Sequence, residues 1–208
     1  MPRDLRSIVD PQHTVLILQE CQKGVIGDLS ALPEMAAAAK VEMIPNLARL
    51  VGAARAAGVR VIHATAAHQP DMWGANTNAR VFLGVRKSPV KLIQGVEAVE
   101  PIDEVGPAEH DIVFARQHGL SPFEGTELDS LLRNEHVRTI VLVGVSVNVA
   151  ILNVTFDAVN KAYEVVIPRD AVAGTPLEYV DQVFEHTLGY VATVTTTDDV
   201  VAAWGAAP

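Results

Sequence analysis

Short apolar runs rich in β-branched residues recur along this chain, and stretches with helical spacing separate them. Val15-Leu16-Ile17-Leu18 and Thr139-Ile140-Val141-Leu142-Val143-Gly144-Val145 are nearly continuous apolar segments. A strand with one face in water alternates polar and apolar residues, so an uninterrupted run implies burial on both faces. Strand–helix alternation of this kind needs a parallel sheet with helices on each side. The pattern predicts strands at residues 14–20, 59–65, 111–115, 139–145, 164–168 and 192–196. Between the first two, Val41, Ile44, Leu47, Ala48, Val51 and Ala54 recur at helical spacing, and Gly58 ends that helix. Residues 36–39 read as a helix start rather than a linker. Further helices are expected over 148–162, 178–190 and 198–204. The expected architecture is a three-layer α-β-α sandwich around a six-stranded, Rossmann-like parallel sheet. At 208 residues it forms a single domain, 1–208. Residues 66–110 are long, weakly periodic and rich in Gly, Pro and Asn, as a lid or subunit contact would be.

Composition narrows the function classes. Hydrophobic residues at 49% and charged residues at 20% suit a folded globular protein. Sixteen basic against twenty-five acidic residues give a net charge of −9, which argues against nucleic acid as a partner. No apolar run reaches the length of a membrane span, and the N-terminus lacks the apolar core of a signal peptide, so a cytoplasmic location is expected. The single cysteine, Cys21, excludes an internal disulfide and a cysteine-based metal cluster. No cofactor and no metal are expected.

In open α/β sheets, ligands bind beyond the carboxyl ends of the strands. That rule nominates Gln19 to Gln22, Thr65 to Asp71, Arg116-Gln117-His118, and Ser146 to Ala150. A strand running into Gly144 and turning at once into a helix can carry a nucleophile in the helix's first turn. The residue standing there is Ala150.

These strand ends also carry a resemblance. V-L-I-L-Q-E-C-Q-K-G at 15–24, S-P-F-E-G-T-E-L at 121–128, G-V-S-V-N-V-A-I-L-N-V-T-F-D-A-V at 144–159 and A-Y-E-V-V-I-P-R-D-A-V-A-G at 162–174 resemble the isochorismatase-like, or cysteine hydrolase, superfamily. Its members include nicotinamidases, N-carbamoylsarcosine amidases and isochorismatases. The resemblance implies an aspartate after the first strand, a lysine after the third and a cysteine opening the helix after the fourth. In this chain those places fall on Glu20, on Arg116 or Gln117, and on Ala150. All three depart from the amidase pattern, and the family's metal-binding Asp and His pattern is not evident near His63, His68 and Asp71. The resemblance further implies a cis peptide bond at Ser146–Val147, with Val147 in place of the usual threonine, and homodimers or larger homo-oligomers. Met72-Trp73 in the long loop is a candidate contact.

Alanine cannot form a thioester, so the family's thiol mechanism is not available at Ala150. Cys21 is expected to face away from Glu20, because successive strand side chains point to opposite faces. Glu20 reads as a general acid or base, or as a strand-end carboxylate paired with Arg116. Isochorismatases in the family use a carboxylate to protonate a vinyl ether, and a glutamate has the chemistry to do the same. Arg116 is permanently charged and can hold a substrate carboxylate or form an ion pair. His118 is a further catalytic candidate, since a loop histidine titrates near neutral pH. Gln117, Ser146, Val147 and Ala150 are expected to line the substrate. Ser146 and Asn148 also suit helix capping, and the N–H groups around Val149 and Ala150 suit an anion. Arg80 and Arg86 are additional anion-binding candidates. The expected function is hydrolysis of a small, anionic metabolite without a cysteine nucleophile, vinyl-ether hydrolysis first. The alternative is an inactive relative that binds a small molecule or serves as a structural subunit.

Overall fold

The structure is a computed structural model and describes residues 4–205. Strands β1 (Thr14–Gln19), β2 (Arg60–Ala66), β3 (Ile112–Arg116), β4 (Thr139–Val145), β5 (Glu164–Pro168), β6 (Val172–Ala173) and β7 (Thr193–Thr195) form one sheet. The order is β3-β2-β1-β4-β5-β7, with β6 beside β4, and every pairing is parallel. Among the described residues the sheet therefore has seven strands, not the six expected. β5 pairs with Thr139 to Val141 only, and β6 takes over beside Gly144 and Val145. A two-residue strand is too short for periodicity to reveal.

Burial on both faces is realised as the apolar runs require. Leu16 and Leu18 join Val61, Val141, Val143 and Val166 on one side, packed under helix Ile44–Ala56 and Trp204. Val15 and Ile17 join Ile62, Ile140, Leu142 and Ile167 on the other, packed under Leu128, Ile151, Val154 and Phe184. Helices thus flank the sheet on two sides. Among the described residues no helix is long and apolar enough to cross a membrane.

The excursion between β2 and β3 holds one helix, Arg80–Lys87, and two single 3-10 turns, Glu97–Val99 and Asp103–Val105. None of the residues of Arg80–Lys87 is buried, and Trp73 is 80% exposed. A buried polar cluster fastens the excursion's far end to the sheet. His63 Nε2 lies 3.2 Å from Asp111 Oδ2, and the same carboxylate accepts from Arg55 Nη2 (2.5 Å) and from the Ala108 N–H (3.0 Å). Burial lowers the His63 pKa below its ordinary 6.5, outweighing the pull of Asp111. Burial pushes the Asp111 carboxyl up, but Arg55, Ala108 and His63 together hold it below the usual carboxylate range.

The His63 shift sets a pH dependence. Above pH 6.5 neither the folded nor the unfolded chain protonates this ring. Below it the unfolded chain takes up a proton that the folded chain refuses, so stability falls until the folded pKa is passed. Urea midpoints at pH 7.5 and 5.5 should drop more steeply for the parent protein than for His63→Met. Equal slopes would contradict this account.

Candidate active site

At the carboxyl end of β1 the chain turns sharply. Glu20 has φ 52°, a left-handed conformation costing a non-glycine residue about 1–2 kcal/mol. Two backbone bonds hold it there: Glu20 N–H donates to Ala64 O (2.8 Å), and Gln22 N–H donates to Glu20 O (2.8 Å). Gln22 locks the turn in place. Its Nε2 donates to Ala66 O (3.0 Å) and Val99 O (2.9 Å), and its Oε1 accepts from the Ala66 N–H (2.8 Å). Every polar atom of that side chain is used within the fold.

Arg116, the last residue of β3, reaches past β2 and donates from Nη2 to Glu20 Oε1. Its side chain is 4% exposed, against 20% for Glu20, so the carboxylate faces outward with the guanidinium behind it. Arg116 Nε donates to Gly119 O at 3.3 Å. Two of its three nitrogens are therefore committed, and a free fork for a substrate carboxylate is not what the fold presents. Gln117 is exposed and takes no part in this pair: its Oε1 accepts from Gln69 Nε2 (2.9 Å), and its carbonyl lies 2.6 Å from His68 Nδ1. The two-residue strand period decides between the neighbours, and Arg116 is the one that meets Glu20. His118 is half-buried beside Gly125, where an added Cβ would lie 3.0 Å from its Cε1. It has no hydrogen bond within the described residues.

The junction after β4 departs from expectation in several respects. The cis peptide bond joins Val145 to Ser146, one residue earlier than Ser146–Val147. The Ser146 side chain caps nothing; instead its carbonyl accepts from the N–H groups of Val149 (3.2 Å) and Ile151 (3.0 Å) in a π-turn, Val147–Ile151. That consumes the Val149 N–H expected to greet an anion. Val147 is fully buried among Ile151 and Val154, so its side chain packs the core rather than lining a ligand. Ala150 is also buried, at 3% exposure. Asn148 is no cap either, since its Nδ2 donates to Thr175 O at 3.3 Å.

Cys21 lies among the core residues on the face of Leu16 and Leu18, whereas strand alternation would set it with Val15 and Ile17; the left-handed turn at Glu20 breaks the alternation there. Burial pushes its thiol pKa far above the ordinary value, with the Glu20 charge adding to the shift. A thiol in that state is neither exposed nor ionised, the two properties a nucleophile needs. His63, His68 and Asp71 do not converge; Asp71 Oδ1 accepts from the Trp73 N–H. No group of three or more His, Cys, Asp or Glu is arranged to hold a metal among the described residues. A cavity of about 490 Å³ lined by Pro11, Thr14, Ile62, Phe114 and Leu128 opens at the amino ends of β1–β3, opposite Glu20.

Among the described residues, three buried polar atoms at the carboxyl end have no partner: Gln19 Oε1, Arg116 Nη1 and Asn148 Oδ1. The strand-end rule nominated the segments holding Gln19 and Asn148, but it gave Gln19 no individual role and read Asn148 as a helix cap. A signal for Gln19 was present, because a polar residue closing the apolar run Val15 to Leu18 is out of pattern for a strand buried on both faces.

The chain matches the Isochorismatase domain over residues 14–199. It is similar to the ureidoacrylate amidohydrolase RutB of Methylorubrum extorquens, 31% identical over 185 residues, which are 80% of this chain and 73% of that protein. It is also similar to the N-carbamoylsarcosine amidase of an Arthrobacter species, 28% identical over 131 residues, 62% of this chain and 49% of that protein. Among solved structures, a cysteine hydrolase from Pseudomonas syringae pv. phaseolicola superposes with a TM-score of 0.79 at 26% identity, covering 95% of each chain. With nearly the whole domain matched and the same fold shared, the chain belongs to the Isochorismatase family.

Proposed function

We propose that this protein hydrolyses a small, anionic metabolite without a cysteine nucleophile, using Glu20 as the proton-transfer group. The observation that carries the reading is the Glu20–Arg116 pair. A strained turn aims a partly exposed carboxylate at the ligand edge of the sheet, and a buried, permanently charged guanidinium fixes its orientation. The alternative nucleophiles are weak: Ala150 has no reactive group, and the only thiol is buried and protonated.

Vinyl-ether hydrolysis needs no nucleophile beyond water, only a proton donor, which Glu20 becomes by taking up a proton against the pull of Arg116. Glu20 in its acid form gives a proton to the vinyl carbon, and the ether carbon becomes an oxocarbenium centre. Water adds there and returns a proton to the carboxylate. The hemiketal then loses its alcohol and leaves a ketone. Arg116 orients the carboxylate throughout, and its Nη1 is left to meet an oxygen of the substrate. The named activities of the relatives make ureido and carbamoyl acids the second substrate class to assay.

The test is turnover of isochorismate, simpler enol ethers and ureido acids by the purified protein and by Cys21→Ala. Activity that survives Cys21→Ala within about twofold and resists iodoacetamide is the expected result. Loss of activity on thiol removal would overturn the reading. Binding of these compounds without turnover would mark the chain as an inactive relative.

A further inference from the structure

The carboxyl end of the sheet holds an unusual polar inventory on one face. By strand alternation Gln19 shares the face of Val15 and Ile17, and Arg116 shares that of Ile112 and Phe114. Both sets pack with the core side that also contains Val147 and Ile151, which flank Asn148 in the chain. Gln19, Arg116 and Asn148 thus belong to the same side of the sheet, and each has one buried atom without a partner.

The orientation of the two amides follows from their partners. Gln19 is fully buried and faces the Leu120 carbonyl at 3.4 Å; Asn148 faces the Thr175 carbonyl at 3.3 Å. A carbonyl oxygen only accepts, so the nitrogen of each amide must point to it and the oxygen must be the free atom. Gly174 leaves room beside the Asn148 oxygen, since an added Cβ there would lie 3.2 Å from Oδ1. The third free atom, Arg116 Nη1, only donates. The result is two acceptors and one donor.

We propose that Gln19 and Asn148 determine specificity, reading N–H or O–H donors of a ligand whose oxygen is held by Arg116 Nη1. The proposal rests on the carboxyl edge being the ligand site, as argued above, and adds what the ligand must present there. The turn at Gly119 and Leu120 closes over Gln19 and Arg116 through bonds of 3.4 and 3.3 Å, at the long end of the hydrogen-bond range. A ligand's donor and acceptor groups replace such contacts at little cost.

Calorimetric titration with four carboxylates tests this directly. Succinamate offers N–H donors and 4-hydroxybutyrate an O–H donor; N,N-dimethylsuccinamate and 4-methoxybutyrate are the same molecules with donors capped. At least one uncapped probe should bind about tenfold or more tightly than its capped counterpart. Which pair shows the preference identifies N–H or O–H as the group read. In Gln19→Met the preference should collapse toward unity while the Tm of the free protein stays level or rises. An unpaired buried acceptor has been replaced by an apolar side chain of similar length. Asn148→Ala provides the same readout should Gln19→Met fold poorly. Equal binding of capped and uncapped probes, no binding of either uncapped probe, or an unchanged preference in both variants would overturn the proposal. Calorimetry reports binding alone, so an intact donor preference in a protein without turnover would sink only the catalytic reading.

Discussion

Glu20→Gln should lower kcat by about a hundredfold to ten-thousandfold, the range removed with a general acid or base. The substitution keeps the shape of the side chain and its acceptor oxygen, but it no longer transfers a proton. It also leaves the Arg116 charge buried without a counter-ion. Stripping one partner from a fully buried pair costs about 3–5 kcal/mol; with Glu20 one-fifth exposed, about 2 kcal/mol is expected. Activity and stability can be separated. The double variant Glu20→Gln, Arg116→Met removes the stranded charge and should regain much of the lost stability while remaining inactive. Steady-state rates on whichever enol ether or ureido acid the parent protein turns over, together with urea unfolding of the three proteins, check both halves. A Glu20→Gln protein within twofold of the parent rate would remove Glu20 from the mechanism.

Gly144→Ala should cost about 4 kcal/mol or more, enough to prevent accumulation of folded protein. Gly144 has φ 106°, outside the range open to residues with a Cβ. An added Cβ would lie 2.2 Å from the carbonyl oxygen of Gln19, 2.9 Å from its nitrogen and 3.0 Å from Cys21 Sγ. The first two are backbone atoms of a central strand, hydrogen-bonded on both sides, and have nowhere to go. Gly52, in the exposed face of helix Ile44–Ala56, is the contrast. Nothing lies within 4 Å of its would-be Cβ, so Gly52→Ala should stabilise by about 0.5–1 kcal/mol. Circular dichroism and urea titration of the two variants should give opposite signs.

Strands buried on both faces announce themselves as continuous apolar runs, and β4 matches residue for residue; β3 and β7, partly exposed, were located from their β-rich composition alone. β6 escaped because two residues cannot display a period. The one-residue ambiguity between Arg116 and Gln117 arose because a matching pattern carries no information about strand parity. Parity is a property of the ladder, and the pairing of Arg116 with Ala66 fixes which side chain turns toward Glu20. Ser146 and Asn148 read as caps because their side chains suit that role. A π-turn that uses the Ser146 carbonyl and a cis bond at Val145–Ser146 were invisible, since both are backbone geometry with no obligatory residue type.

What the sequence determined by itself is the parallel sheet between helices, because strands buried on both faces must read as continuous apolar runs; it also fixes an alanine at 150 and one cysteine, Cys21, in the chain. Tertiary structure alone decided what remains. Glu20 and Arg116 stand 96 residues apart and become partners only because β2 pairs on one side with β1 and on the other with β3. That register closes the loop between distant segments and buries the guanidinium behind the carboxylate, and at the same end of the sheet Gln19, Arg116 and Asn148 each keep one buried polar atom unpartnered among the described residues.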